Sequence, residues 1–267
     1  MDFALNEIQQ ELKTQARSWL AERYPLDRDW DGEQSDRWDE LAELGWLDVA
    51  EAELGFVEEA LLLEEMGYAM YPGPYLAHVN GGRIELNGLV YGGGDDGGEL
   101  VPSVDPSRPL RRSSTKNGQE TPRVRAAMAA EAVGIAQRAL ELGIEHVSTR
   151  QQFGKPIGVY QAVSHQLSNT YADVELARSL AYWAAWCVAE DDEQAPVAAA
   201  AAKAFATEAA VAAAERSIQV HGGIGFTWEH PLHRFYKRAL WLEGFGSRPA
   251  ELRLEVADAV LGVTVPV

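Results

Sequence analysis

Apolar residues recur every three or four positions along the first part of the chain, and this spacing predicts amphipathic α-helices. The first helix is predicted over residues 2–22. A second follows the capping pair Ser35–Asp36 and ends at Gly45, and a third covers residues 55–70. The apolar positions that define these three helices are Phe3, Ile8, Leu12, Ala16, Trp19 and Leu20, then Trp38, Leu41 and Leu44, then Val57, Leu61, Leu62 and Met66.

Helical periodicity returns at residue 121 and continues almost to the end of the chain. Thr121 is a good N-cap residue, and Pro122 suits the first helical position because its missing N–H has no partner there. Four to five helices with short connections are typical of a four-helix-bundle-like domain. The helices are predicted over residues 121–149, 159–189, 196–220, 231–243 and from 249 onward.

Residues 81–121 lack this periodicity and are rich in glycine, proline and serine. Residues 84–91 and 99–104 are predicted to pair as a short hairpin around the Gly-Asp-Asp-Gly turn at 94–97, and a flexible linker is the alternative. The fold class that follows is mainly α. We divide the chain into an N-terminal helical domain (1–80), a middle segment (81–121) and a C-terminal helical domain (122–267).

Composition and charge narrow the class of protein. The formal net charge of −18 argues against nucleic acid and anionic membranes as partners. Residues 1–70 hold 19 acidic and five basic side chains, which we interpret as a solvated acidic face. The single cysteine, Cys187, cannot form an intrachain disulfide. No uninterrupted apolar run reaches about 18 residues, and the start Met1-Asp-Phe carries no basic signal, so we expect a soluble cytoplasmic protein.

Two breaks in the helical pattern carry the candidate chemistry: residues 148–167 and residues 217–226. Each clusters glycine or proline with polar side chains, and such a break lets backbone N–H groups approach a phosphate. Arg150 adds a planar fork of five donors that suits a pyrophosphate. On these grounds alone, a purely structural role for Arg150 and Phe153 is also open.

The motifs in these breaks resemble those of a known family. Their order and spacing are similar to the C-terminal helical domain of the acyl-CoA dehydrogenases, and residues 1–76 resemble the N-terminal domain less closely. In that family a β-barrel-like domain separates the two helical domains. About 40 residues are available here, too few for a closed barrel of eight strands of ~5 residues. The motifs are Arg150-x-Gln152-Phe153-Gly154-Lys155-Pro156-Ile157, Tyr160-Gln161 and Gln219-x-His221-Gly222-Gly223-x-Gly225.

The resemblance implies FAD as a cofactor that lies across a subunit interface. The helical domain of one subunit would hold the adenine-side half of a flavin whose ring rests on the β domain of another. The alternative is that the matching residues persist only as packing elements of the bundle. The cofactor-binding residues that the resemblance implies are Arg150, Gln152, Phe153, Tyr160, Gln161, Gln219, Gly222 and Gly223.

The catalytic base of the family has no counterpart. A carboxylate must take the α-proton of the acyl group, but the usual position corresponds to Gly246 here, and a rarer one corresponds to Val124. Glu243 is close in sequence and stays a minor candidate. We therefore assign no catalytic residue. His165, His221, His230 and His233 lack a metal-ligand pattern, so we assign no metal site.

These observations lead to three hypotheses. The first is a non-catalytic partner subunit that completes the FAD site of a heteromeric acyl-CoA dehydrogenase, similar to actinobacterial enzymes that act on steroid side chains. Its partner would be a catalytic subunit, or a second copy of this chain, and an acyl-CoA substrate follows from the resemblance alone. The second is a stand-alone non-redox enzyme on the same scaffold, for an acid–base or cyclising step. The third is a purely structural or regulatory partner.

Overall fold

The computed structural model describes residues 4–30, 34–49, 54–94, 98–113 and 118–262. It confirms a mainly helical fold. Asn6 caps the first helix: its side chain accepts from the Gln9 N–H, and the Gln9 side chain accepts from the Asn6 N–H. Residues 1–3, at the start of the predicted first helix, lie outside the described residues. The N-terminal helices are α1 (Glu7–Arg23), α2 (Trp38–Glu43), α3 (Phe56–Ala69) and the one-turn α4 (Tyr75–His78), which was not predicted.

The C-terminal helices form a bundle around α5. Thr121 accepts a hydrogen bond from the Val124 N–H (3.3 Å) and Pro122 follows as the first helical residue, as predicted. Helix α5 packs against α3, α6, α7 and α8, and α9 packs on α7. The bounds are α5 (Pro122–Thr149), α6 (Gln161–Ala189), α7 (Ala195–His221), α8 (Leu232–Gly244) and α9 (Pro249–Leu261).

Small side chains line the contact between α5 and α7, which lets the two helices approach closely. The stretch Ala195–Phe226 is, by length and composition, apolar enough to cross a membrane, and 67% of its most apolar window is buried within the protein. Core packing therefore accounts for this apolar helix. The fully buried alanines are Ala126, Ala127, Ala129, Ala132, Ala136 and Ala139 of α5 and Ala198, Ala199, Ala202, Ala206, Ala210, Ala213 and Ala214 of α7.

Two glycines allow the backbones of α3 and α5 to touch where the helices cross. A Cβ on Gly134 would lie 2.6 Å from the backbone nitrogen of Tyr68, and closer still to the carbonyl oxygen of Glu64. A Cβ on Gly67 would lie 3.0 Å from the carbonyl carbon of Glu131. Neither position has room for a side chain, so this crossing fixes how the N-terminal helices sit on the bundle.

The middle segment forms a small antiparallel sheet in the order β1-β2-β4-β3. The predicted pairing of 84–91 with 99–104 is wrong: 84–91 is itself a hairpin, closed at Asn87-Gly88, where both residues have positive φ (54° and 74°) as in a type I′ turn. Most of the predicted turn at 94–97 lies outside the described residues. The strands are β1 (Arg83–Leu86), β2 (Leu89–Gly92), β3 (Leu100–Val101) and β4 (Leu110–Arg112).

The acidic N-terminal region is not simply a solvated face, because α3 buries part of it. Glu64 is almost fully buried, where Lys13 (2.9 Å) and Arg178 (3.1 Å) pair with it, and the buried Glu65 pairs with Arg17. These ion pairs join α1, α3 and α6. Burial would raise the pKa of Glu64, but Lys13 and Arg178 outweigh it and hold that pKa below its usual range.

A second buried charge network anchors the chain where it leaves the sheet. Arg238 of α8, fully buried, donates to Asp105, to Glu131 Oε1 (2.9 Å) and to Ser107 Oγ (2.7 Å). Arg108, also buried, donates to the same Glu131 oxygen. Residues 105–108, which join β3 to β4, are thus tied to α5 and α8 by two cations and two carboxylates.

Candidate functional site

The first break in the helical pattern is a sharp corner at the end of α5. Arg150 ends the helix: its N–H donates to the His146 carbonyl (2.8 Å), and its own carbonyl accepts from the Ile157 N–H (2.8 Å). The chain then forms a two-stranded ribbon, β5 (Gln151–Gln152) and β6 (Lys155–Pro156), before α6 begins. Arg150 is exposed, and its guanidinium has no protein partner within the described part of the chain.

Phe153 and Gly154 form the tip of this ribbon. Both have positive φ (52° and 77°), the geometry of a type I′ turn, which few residues other than glycine adopt. The phenyl ring of Phe153 is 93% exposed and meets the ring of Tyr160 edge-on at 6.4 Å. The Tyr160 hydroxyl donates to the Gln152 carbonyl (3.2 Å). Four of the predicted site residues, Arg150, Gln152, Phe153 and Tyr160, therefore belong to one small structure, and Gln161 follows as the first residue of α6.

The second break ends α7. Gly222 has φ 64° and ψ −137°, a conformation that in practice only glycine adopts, and its N–H donates to the Gln219 carbonyl. The chain then runs through a short 3-10 turn, Gly222–Phe226. A Cβ on Gly222 or Gly223 would meet no atom within 4 Å. Both glycines therefore present bare backbone to open space.

Three imidazoles bring the two breaks together. His146, one turn before Arg150, stacks on His221 with a 4.1 Å separation of ring centroids, and His221 lies 4.4 Å from His230. The Arg150 corner and the Gly222 turn consequently share one end of the bundle. Among the described residues no group of three or more His, Cys, Asp or Glu side chains is arranged to hold a metal ion. His230 is half-buried against His221.

This histidine cluster should make stability depend on pH. Burial, and the nearby His221, His146 and His233, lower the pKa of His230 to about 4. The unfolded chain takes up this proton near pH 6.5, so stability falls as the pH drops from 6.5 towards 4. Between pH 7 and pH 5 we expect the free energy of unfolding of the wild type to fall by about 1 kcal/mol more than that of the His230→Asn variant. Denaturant unfolding at the two pH values measures this difference.

Asparagine is the matched replacement because its amide oxygen can still accept from the Leu232 N–H, which His230 Nδ1 does now (3.3 Å). The same pH dependence in both proteins would contradict a role for His230.

The open end of the bundle also carries exposed apolar surface. Phe153, Phe226 and Trp228 are each more than two thirds exposed. A cavity of about 590 Å³ opens beside the Arg150 corner, between the end of α5 and the start of α6, and Val147, Leu167 and Tyr171 contribute to its wall. Exposed apolar patches of this kind mark interaction surfaces more often than free surface.

The structure fits the predicted ligand at this end. An exposed guanidinium and a glycine turn whose backbone faces open space share this end of the bundle, and both features suit a phosphate-bearing ligand. Tyr160 is partly buried, and the other seven predicted residues are exposed. Their binding role stays a prediction.

The position that corresponds to the family's catalytic base, unlike the predicted cofactor-binding residues, is not open to solvent. Gly246 is buried, with φ 88°, in the loop between α8 and α9. Glu243, the minor candidate, lies on α8, where burial and the carboxylates of Glu208 and Glu215 on α7 raise its pKa. The carboxylate that adjoins Gly246 instead belongs to Glu120. The sequence offered only a weak signal for Glu120, a glutamate one residue before the N-cap of α5.

Many solved structures share this fold, among them the following two. The crystal structure of the ChsE4-ChsE5 complex from Mycobacterium tuberculosis matches with a TM-score of 0.81 at 21% identity, over 99% of this chain and 100% of that one. A structure described as the Tcur3481-Tcur3483 steroid ACAD G363A variant matches with a TM-score of 0.77 at 23% identity, over 96% of this chain and 98% of that one. At such identities the likeness is one of fold.

Sequence comparison supplies the family. The acyl-CoA dehydrogenase IpdE2 of Mycobacterium tuberculosis is 37% identical over 148 residues, which cover 52% of this chain and 44% of that protein. The chain therefore matches less than half the length of this relative. The N-terminal domain profile of the acyl-CoA dehydrogenases matches residues 6–93. Their C-terminal domain profile matches residues 119–255, which contain both breaks described above. The two profiles together cover most of the chain, and only residues 94–118, which include β3 and β4, lie between them. The chain therefore belongs to the acyl-CoA dehydrogenase family.

Proposed function

We propose that this chain is a partner subunit of a heteromeric acyl-CoA dehydrogenase, in which it completes the FAD site of a catalytic subunit and does not itself take the α-proton. One contrast carries the proposal. The Arg150 corner and the Gly222 turn are intact and open to the outside, whereas Gly246 offers no carboxylate and is buried. The chain thus carries the residues that would hold the cofactor of a neighbouring subunit. It lacks the carboxylate that dehydrogenation at its own site would require.

The names of the similar proteins support this proposal. IpdE2 is an acyl-CoA dehydrogenase, ChsE4-ChsE5 is a complex of two differently named components, and the Tcur3481-Tcur3483 structure is described as a steroid enzyme. We propose an acyl-CoA substrate for the complex, with a steroid side chain as the acyl group to test first. The free, buried Cys187 is compatible with assembly in the cytoplasm.

In this proposal each segment has a defined task. Residues 1–80 and 122–267 form the two helical domains, and residues 81–121 replace the larger β domain. Arg150 holds the FAD pyrophosphate, and the bare backbone of Gly222 and Gly223 allows close approach of the cofactor. The exposed rings of Phe153 and Phe226 pack against the catalytic subunit and exclude water. Bound FAD supplies the two-electron oxidation of the acyl group. The amides of Gln152, Gln161 and Gln219, with Tyr160, complete the predicted contacts.

The sheet is too small for a flavin domain of its own. Within the described residues its strands are two to four residues long, against five or six in a typical strand. A catalytic subunit would therefore have to supply the surface on which the flavin ring rests. This is why we favour a heteromer over a pair of identical chains.

A stand-alone non-redox enzyme is not favoured. Glu243, the acid or base that it would use, lies among carboxylates on the side of α7, whereas the Gly246 turn contacts Glu120 and Leu86. A purely structural partner is distinguished from a flavin-completing one by the cofactor itself. If this chain completes the flavin site, omitting it should cost the catalytic subunit its flavin. If this chain is only a structural partner, the flavin should stay in place.

The test is Arg150→Ala in a complex co-purified with a full-length acyl-CoA dehydrogenase from the same genome. Loss of a charge-assisted contact to phosphate costs about 1.5–3 kcal/mol, so we expect flavin to bind roughly 10- to 100-fold more weakly. Flavin content is measured by visible absorption after dialysis, and its affinity by titration of the apo-complex. Unfolding of the isolated variant chain should be unchanged, because Arg150 is exposed and unpaired within the described residues.

Arg253→Ala is the matched control. Arg253 is an exposed arginine of α9, paired with Glu208 near the middle of α7 and away from the Gly222 turn. It should leave flavin content at the wild-type value. Full flavin retention in Arg150→Ala as well would count against the proposed role.

A further inference from the structure

We propose that the shortened middle segment closes the position in this chain where the family carries its catalytic base. The chain can then act only through the cofactor site of its neighbour. The closure is made by Glu120, Leu86 and Asn87 over position 246. This inference rests on the proposed function, because it explains why one subunit of the pair would be inactive by construction and not merely for lack of one side chain.

The first element of the closure is the carboxylate of Glu120. A Cβ on Gly246 would lie 2.9 Å from the Glu120 carboxyl carbon, and closer still to Oε1. Real Cβ atoms essentially never approach other atoms so closely. The Glu120 carboxylate therefore occupies the space that any side chain at position 246 would need.

The second element holds that carboxylate in place. Lys203 of α7, fully buried, donates to Glu120 Oε1 and to the Phe245 carbonyl (2.7 Å). Glu120 Oε2 accepts from the Ser247 N–H (3.1 Å) and from Arg125 Nε (3.2 Å). Burial would raise the pKa of Glu120, but Lys203, Ser247 and Arg125 outweigh it and keep that pKa below its usual value. The carboxylate is thus ionised and fixed on both oxygens.

The third element is the hairpin turn of the small sheet. Leu86 Cδ1 would lie 2.9 Å from a Cβ on Gly246, and the Asn87 side-chain amide donates to the Gly246 carbonyl (3.1 Å). The β1–β2 turn therefore lies directly on the loop that carries the base in the resembled family. The short sheet is thus in direct contact with this loop.

The experiment compares two glycine substitutions that share backbone strain and differ in free space. Gly246 and Gly45 both have positive φ (88° and 73°), but a Cβ on Gly45 would meet nothing within 4 Å. Gly45→Ala should lower the unfolding midpoint by about 2–4 °C, the effect of left-handed strain alone. Gly246→Ala should lower it by at least twice as much, because it adds collisions with the held carboxylate of Glu120 and with the end of the Leu86 side chain.

The collision between the new methyl group and the Glu120 carboxylate is then removed by changing Glu120. In a Glu120→Ala/Lys203→Met background, which deletes both charges together so that neither is left buried alone, Gly246→Ala should lower the unfolding midpoint clearly less than it does in the wild-type background. Any excess that remains over Gly45→Ala comes from the end of the Leu86 side chain, which also lies 2.9 Å from a Cβ at position 246. Glu120→Asp is the milder second variant: it keeps the charge but retracts the carboxylate, so it should also reduce the penalty. If Gly246→Ala does not fold alone, recovery of a folded protein in either background supports the closure.

An equal penalty for Gly246→Ala and Gly45→Ala would overturn the proposal, as would the same Gly246→Ala penalty in all backgrounds, or no recovery in either. These outcomes are independent of flavin. If Arg150→Ala keeps its flavin while positions 120 and 246 are coupled, the proposed function fails and the closure stands. If Arg150→Ala loses its flavin while positions 120 and 246 are not coupled, the closure fails and the proposed function stands.

Discussion

Gly134→Ala is expected to destabilise the protein by about 3 kcal/mol or more, the upper end of the range for overpacked cores. The added methyl group would collide with the backbone of Glu64 and Tyr68, and not with the movable end of a side chain. Relief requires α3 and α5 to separate along their whole crossing. For a chain of this size, a loss of 3 kcal/mol lowers the midpoint of thermal unfolding by about 6–12 °C, which circular dichroism will measure.

Gly244→Ala is the matched control, because Gly244 is also helical and a Cβ there meets no atom within 4 Å. Since alanine favours a helix over glycine by up to about 1 kcal/mol, this control should unfold at the wild-type temperature or slightly above. A midpoint for Gly134→Ala within 1–2 °C of the wild type would show that the two helices are not in backbone contact.

Arg238→Met is expected to lower the free energy of unfolding by about 3–5 kcal/mol, the range for breaking a buried ion pair by removing one partner. Methionine fills much of the volume but leaves Asp105 with Ser107 alone, while Glu131 keeps Arg108. Arg253→Met, which breaks the exposed pair with Glu208, should cost less than about 1 kcal/mol. Urea unfolding at pH 7 will separate the two effects.

The effect of Arg238→Met should shrink in acid. Burial would raise the pKa of Asp105, but Arg238 outweighs it and holds that pKa below its usual value, so the wild type loses this stabilisation as the pH falls through the acidic range. Without Arg238 the buried carboxyl takes up a proton at higher pH and no longer bears an unpaired charge. We therefore expect a smaller difference between the two proteins at pH 4 than at pH 7. A difference that grows in acid would contradict the assignment.

The helices could be predicted from the sequence because their signals are local. Thr121 and Pro122 mark the start of α5 by residue type alone, and the period of apolar residues gives the bounds of α3 and the end of α1 to within one residue. The predicted start of the first helix at residue 2 is wrong, because Asn6 caps the helix and α1 begins at Glu7. The end of β1 also had a local signal, since Asn87-Gly88 is typical of a two-residue hairpin turn. The glycine-rich stretch a few residues later is a competing turn signal, and it displaces the predicted turn from its true position.

The candidate site divides in the same way. The motifs around Arg150 and Gly222 were visible in the sequence, but their proximity was not, because it depends on rings 75 residues apart, His146 and His221. Likewise, the sequence shows that Gly246 is not a base, yet not that Glu120 fills its place. No pattern of spacing encodes a contact between residues more than 100 positions apart, since the tertiary packing of the helices alone decides it.

Helix α7 gives the two ends of the molecule a fixed separation. Lys203, at the closed position, lies eight residues after the start of α7, and Gly222, at the open turn, follows its last residue. The two are 19 residues apart, or about 28 Å at 1.5 Å per residue. A contact made at the Gly222 turn therefore lies about five helical turns from the closed position, and the small alanine side chains between α5 and α7 have few rotamers with which to absorb a displacement. Any influence of docking on the far end would have to travel as a rigid tilt of the whole rod.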